Sequence, residues 1–121
     1  MDNSRIPPND YEAEQAVLSS MIFDKDAVGI AYEGLVGDDF YRSNHSVSFD
    51  SMVELFIKNV PIDLITLKSK LDERGVTTEV GGSEYLAELA GGFSTSANIK
   101  HYVKIVKDKS MLRRLIKVSL R

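Results

Sequence analysis

The chain has 121 residues, 43% hydrophobic and 27% charged, which is enough for one domain with a real core. It has no cysteine, so disulfide frameworks, Cys-based zinc sites and thiol catalysis are excluded, and the two histidines, His45 and His101, do not make a typical structural zinc site alone. The net charge of −3 divides unevenly: residues 1–99 carry seven basic and seventeen acidic side chains, or −10, while residues 100–121 carry eight basic side chains against Asp108 alone, or +7.

Such asymmetry points to a nucleic acid, membrane or acidic-partner contact, or to a solvated helix face. The start has no apolar run behind it and no segment approaches a membrane span, so a cytoplasmic protein is expected.

In chain order, Arg5-Ile6-Pro7-Pro8 reads as an extended lead-in. Asp10 is placed to cap a helix whose apolar face is Ala13, Val17, Leu18, Met21 and Ile22, with Glu12 and Glu14 near its positive end. Asp24-Lys25-Asp26 breaks that helix. A short helix follows through Ala27, Val28, Ala31 and Leu35. Gly37-Asp38-Asp39 reads as a turn and Phe40-Tyr41 as a buried pair after it. Ser43 or Asn44 caps a longer helix carrying Phe49, Met52, Val53 and Phe56. Asn59 in a left-handed cap and Pro61 end it.

Asp63 caps the next helix, with Leu64, Leu67 and Leu71 as its stripe and Gly75 as its stop. Val76-Thr77-Thr78 is β-branched but has no partner strand, and reads as a loop. Ser83 caps a helix bearing Leu86, Leu89 and Ala90, stopped by Gly91-Gly92. Ser94-Thr95-Ser96 opens the longest helix, running toward Arg121. Everything periodic has the helical period, so the fold class expected is all-α.

The last helix changes face. At about 100° per residue, Ile99, Tyr102, Val103 and Val106 share one side. Leu112, Leu115, Ile116 and Leu120 share another, rotated by roughly a third of a turn. Two stripes predict two packing partners: the body for the first, and a following helix or another subunit for the second. The competing reading is a helix that bends or frays and leaves Leu115 and Ile116 exposed.

No constellation for chemistry stands out. Gly81-Gly82-Ser83 lacks the G-x-x-x-x-G-K-[ST] spacing of a phosphate loop. His45 lies near Asp39 without a marked nucleophile, and reads as a structural residue. Asp38-Asp39 and the Asp24/Asp26 pair lack the ligand spacing of a calcium loop. No catalytic, cofactor or metal residue is expected in this chain. Lys107, Lys109, Arg113, Arg114 and Lys117 form a basic surface that could meet DNA phosphates, although aromatic interleaving is poor.

A series of short signatures occurs in a fixed order: Asp39-Phe40-Tyr41, Asn44-His45, Pro61-Ile62-Asp63, Gly81-Gly82 with Tyr85-Leu86, Ala97-Asn98-Ile99, and Tyr102 with Ile105-Val106. In this order they resemble the N-terminal domain of DnaB-type bacterial replicative helicases. Residues Ser46, Val47 and Ser48 depart from the family's usual pattern after the motif histidine. The resemblance implies a compact orthogonal bundle of about six helices, ending in a long helix that begins a helical hairpin. Residues 1–99 would form the globular collar domain, and residues 100–121 the first arm of a truncated hairpin, with the motor domain absent.

The implied function is protein interaction and assembly in a hexameric, ATP-dependent helicase acting in DNA replication. Self-association as dimer pairs within the ring and docking of the primase C-terminal domain would be its roles, with a helicase loader as a further partner. ATP and magnesium would belong to the parent's motor, and DNA would be met through the parent. Partner contact is expected at an exposed patch of Glu12, Tyr85, Leu112, Leu115, Ile116 and Leu120, with core packing beside Leu86 as the competing place for Tyr85. The alternative function is a nucleic-acid-binding module acting through the basic helix.

Overall fold

A computed structural model describes residues 6–93 and 98–119. Among them are seven α-helices and one 3-10 turn, with no strand. The helices are α1 (Tyr11–Phe23), α2 (Lys25–Gly34), α3 (Ser43–Ile57), α4 (Leu64–Glu73), α5 (Thr77–Val80), α6 (Gly82–Gly91) and α7 (Ile99–Ser119); the 3-10 turn, Gly37–Asp39, joins α2 to α3. The all-helical expectation holds.

Helix α1 is the centre of the bundle, packed against α2, α3, α6 and α7. Its buried residues run continuously from Val17 to Ile22, because partners on several sides leave no single solvent face. Ser19 survives there by donating to the Leu89 carbonyl at 2.7 Å, which satisfies a hydroxyl that burial would otherwise penalise. Asp10 caps α1 through the Ala13 amide, 2.9 Å away. Asp24 ends α1 and caps α2 through the Asp26 amide. Asp63 caps α4 in a reciprocal box with Thr66. Asn59 takes φ +62° and Gly75 φ +71°, the left-handed stops that their positions require.

Several local expectations are corrected. Neither Ser43 nor Asn44 caps α3: Arg42 stands at the cap position without a side-chain bond. Glu14 of α1 instead fastens the segment leading into α3, its carboxylate accepting from the Tyr41 amide at 2.7 Å and the Arg42 amide at 3.4 Å. Phe40 is buried, but Tyr41 is not, lying instead under the Arg113 guanidinium.

Thr77 and Thr78 belong to a single helical turn rather than a loop. The Thr77 hydroxyl bonds the Asp72 carboxylate, and Val80, at the end of the turn, is buried in the core. Helix α6 starts before Ser83, from Gly81 at φ +122° and Gly82 at φ +62°. A Cβ on Gly81 would also stand 2.8 Å from that of Tyr85, so both backbone angle and space favour glycine there. Ser94, Thr95 and Ser96 lie outside the described residues. The observed start of α7 carries Asn98, which accepts from the Lys100 amide at 3.1 Å.

Helices α3 and α4 are also joined by charge. Glu54 meets Arg74 at 2.7 Å, Lys58 at 3.0 Å and Lys70 at 3.1 Å. These cations, Arg74 foremost, hold the Glu54 carboxyl down to about 2.

Leu67 is fully buried, whereas Ile65 on the same helix is 81% exposed. Leu67→Ala is expected to lower unfolding free energy by about 2–5 kcal/mol and Ile65→Ala to change it by less than about 0.5 kcal/mol, both read from denaturant titration. Equal effects would contradict this packing.

Candidate partner interface

The first half of α7 lies on α1, α2 and the 3-10 turn. Val106 is buried, and Ile99, Tyr102, Val103 and Ile105 pack partly buried against the core. Gly34 permits the close approach of α7, since a Cβ there would stand 2.7 Å from Val103 Cγ1. The boundary expected between residues 99 and 100 falls at the first residue of α7.

What fixes α7 on the body is Asp39, a carboxylate with 0% exposure. Lys107 Nζ donates to its Oδ2 at 2.8 Å, and Ser110 Oγ and Arg114 Nη2 donate to its Oδ1 at 2.7 and 3.0 Å. The Val36 amide supplies a fourth donor at 2.8 Å. Arg113 adds a clamp from the backbone side, donating to the Asp39 carbonyl at 2.7 Å and the Pro8 carbonyl at 2.8 Å. Burial pushes the Asp39 carboxyl up, but the bonds from Lys107, Val36 and Ser110 together pull it below its ordinary range. The spacing of Lys107, Ser110 and Arg114 explains the geometry, because residues three and four apart share one helix face.

Three of the five basic residues expected to face DNA make internal contacts. Lys107 and Arg114 neutralise Asp39, and Arg113 holds two backbone carbonyls. Lys117 is exposed and Lys109 half-buried. Two of the helix's basic side chains, Lys107 and Arg114, thus serve the buried acid.

Beyond this anchor the helix is uncovered. Leu112, Leu115 and Ile116 are exposed, Leu115 by 65%, as are Met111 and Val118. The structure brings Leu112, Leu115 and Ile116 together on one stretch of helix. Leu120 lies outside the described residues. The helix runs on through Ser119 with these side chains outward.

Glu12 is exposed, but Tyr85 is not the surface anchor expected. It is 5% exposed, shares a hydrogen bond with the Ser48 hydroxyl at 2.8 Å and donates to the Asn44 carbonyl at 3.2 Å. Burial pushes its phenol pKa up. Its position follows from α3 and α6 sharing a core, which makes the tyrosine's polar tip an internal tie.

Beside it, His45 is fully buried and shares a 2.7 Å contact with Glu14. The Tyr11 ring lies 5.2 Å from the His45 ring, and the Arg42 guanidinium covers Tyr11 at 4.4 Å. The Asn44-His45 and Asp39-Phe40-Tyr41 signatures thus each supply a polar fastening of the bundle. Sequence reading missed Glu14 and Ser110 as members. A glutamate on the apolar side of α1, directly after Ala13, and a serine one turn past Val106 were the available signals.

A helical head that holds a long helix by a buried acid and leaves the far end of that helix apolar and bare defines a class of all-helical head-and-arm domain. The chain belongs to the DnaB-like helicase N terminal domain family, whose profile matches residues 6–108. It is 44% identical over 117 residues to the replicative DNA helicase DnaC of Bacillus subtilis (strain 168), covering 97% of this chain and 26% of that protein. It is 47% identical over 117 residues to the replicative DNA helicase DnaB of Haemophilus influenzae, covering 96% and 25%. The chain thus spans about a quarter of the length of these relatives.

Among solved structures, the N-terminal domain of DnaB helicase from Mycobacterium tuberculosis superposes with a TM-score of 0.91 at 39% identity, over 96% of this chain and 84% of that one. The N-terminal domain of DnaB helicase from Helicobacter pylori, described with its interactions with primase, superposes at 0.74 with 23% identity over 89% of this chain and 84% of that one, and shows the shared fold.

Asp39→Ala removes the acceptor of four donors. It is expected to cost on the order of 3 kcal/mol, the lower end of the range for a broken buried pair because Lys107 and Arg114 keep partial access to water. With the folded-state pKa depressed below the unfolded value near 3.9, this stabilisation is full above that value and is lost as pH falls through the folded value. Acid titration of unfolding free energy should therefore show a limb below about pH 4 that is shallower in Asp39→Ala; identical limbs would contradict the anchor.

Proposed function

We propose that this chain is the assembly and partner-docking domain of a hexameric, ATP-dependent replicative DNA helicase. The observation that carries this reading is the bare apolar stretch Leu112, Leu115 and Ile116 on a helix whose preceding turns are locked to the head. Family membership supplies its context. Burying apolar surface favours association by roughly 25 cal/mol per Å², and exposed side chains at helical spacing suit another helix.

On this reading α7 is the first arm of a helical hairpin that pairs subunits, and residues 100–121 act as an arm only beyond the Asp39 anchor. Pairing sets the symmetry of the ring. Docking of the primase C-terminal domain near Glu12 and the end of α7 couples priming to movement of the fork. A helicase loader is a further partner. ATP and magnesium act in a motor elsewhere in the parent, the parent engages DNA, and the complex works in the cytoplasm.

Direct nucleic-acid binding through the basic helix is the weaker reading, because Lys107, Arg113 and Arg114 already have internal acceptors. Its signature would be single-stranded DNA binding that falls steeply with salt.

Titration of the cognate primase C-terminal domain into a hairpin-complete form of this domain tests the proposal. Saturable binding is expected, weakened at least tenfold by Ile116→Asp with the head still folded by circular dichroism. Absence of binding by the folded, hairpin-complete domain would contradict the primase role, and a monomer by light scattering in that form would contradict subunit pairing.

A further inference from the structure

Two arginines lie on tyrosine rings where α1 and α3 begin. The Arg42 guanidinium stands 4.4 Å from the Tyr11 ring centroid, and that of Arg113 stands 5.5 Å from the Tyr41 ring centroid. Tyr41 and Arg42 are consecutive, so the two stacks adjoin. Arg113 also donates to the carbonyl of Pro8, in the lead-in to α1. Ile116 follows Arg113 by about one turn of α7. One surface therefore runs from Tyr11 across Arg42 and Tyr41 to the bare end of α7, and Tyr41 is 39% exposed upon it.

The two arginines are not equivalent. Arg113 has internal acceptors in the Asp39 and Pro8 carbonyls. Arg42 is exposed, and although it stands at the cap position of α3, its side chain makes no capping bond. Its backbone amide is held by Glu14, but among the described residues its guanidinium donates to no oxygen and pairs with no carboxylate. Tyr11 is a fixed platform for it, since the tyrosine hydroxyl donates to Glu88 at 2.9 Å. A guanidinium laid on a ring is held in its plane while its N–H groups stay available to a further acceptor.

The surroundings select that acceptor. Planar donors of this kind match a carboxylate or a phosphate. Glu12 is next to Tyr11 in sequence, Glu88 holds the Tyr11 hydroxyl, and Asp38 lies just ahead of the Phe40-Tyr41 segment; all three acids are exposed. A nucleic-acid backbone, with a charge on every phosphate, would meet these acids together with the one available arginine and be repelled. A single carboxylate among apolar side chains pairs with Arg42 and lets its neighbours cover the tyrosine rings. Tyrosine and arginine are also the side chains enriched at the centres of protein interfaces.

We propose that Tyr11, Tyr41 and Arg42 form the head's share of the partner-docking surface and take an Asp or Glu of the docking protein flanked by bulky apolar side chains. This role rests on the docking function proposed for the end of α7. Leu112 and Ile116 then supply apolar attachment, while Arg42 sets specificity, because a partner with no acceptor at that place strips the guanidinium of water and gives nothing in return.

The isotope-labelled 121-residue chain is titrated with the unlabelled cognate primase C-terminal domain and followed by amide chemical shifts. Saturable shifts are expected at residues 11–12, 41–43 and 112–116. Arg42→Gln should weaken binding roughly tenfold and make it less sensitive to salt, whereas Arg42→Lys, which keeps the charge, should weaken it about threefold; circular dichroism and thermal melts establish that each variant is folded. Unchanged affinity and salt dependence in Arg42→Gln, beside weakened binding in Ile116→Asp, would overturn the proposal and leave the docking reading standing. Absence of shifts in the native chain would also overturn it, while titration of the hairpin-complete form decides the docking reading by itself. A single-stranded oligonucleotide that shifts the same head residues and loses this effect in Arg42→Gln would assign the arginine to phosphate and overturn the proposal as well.

Discussion

The structure depends on a carboxylate buried where two helices and a turn meet. Asp39 has no access to water and is satisfied by Lys107, Ser110, Arg114 and the Val36 amide. An unpaired acid in that place would be among the most costly groups a domain can bury. Each donor from α7 therefore fixes the rotation and axial position of that helix as well as its attachment. Apolar packing through Val106 alone would tolerate sliding more readily than these directional bonds do. The result is an arm whose bare end projects at a set angle from the head.

Glu14 does the comparable work inside the head. It belongs to α1 but receives the Tyr41 and Arg42 amides and the ring of His45. One side chain thus ties the central helix to the start of α3. Glu14 and Asp39 both hold the stretch that carries the Asp39-Phe40-Tyr41 and Asn44-His45 signatures. They specify fastenings rather than reacting groups.

Much of this fold was legible in the sequence because its signals are local. Asp10 and Asp63 announce helix starts, Asp24 announces a break, and Asn59 and Gly75 announce stops, through bonds or backbone angles set within a few residues. The face change in α7 was also visible, since periodicity reports which turns have a partner. The errors occur where a distant residue decides. No side chain caps α3 as expected of Ser43 or Asn44; the segment before it is held instead by Glu14, from another helix. Tyr85 looked suited to an interface, yet Ser48 and the Asn44 carbonyl draw its hydroxyl inward. The pairing of Lys107 and Arg114 with Asp39 was likewise not visible in the positive charge of α7, because the acid lies 68 and 75 residues away from them in sequence. Thr77 and Thr78 join a helical turn because Asp72 and the buried Val80 outweigh weak local propensity.

Central to the account is a division of α7 into an anchored half and a half that awaits a partner. Native-state amide hydrogen exchange along this helix, measured on the monomer, tests it most directly. The account predicts that amides from about Tyr102 through Arg114 exchange only through openings close to global unfolding in free energy, and that those from Ile116 to Ser119 exchange orders of magnitude faster. Fast exchange beginning before Ser110, or protection continuing undiminished to Ser119 in the monomer, would contradict it.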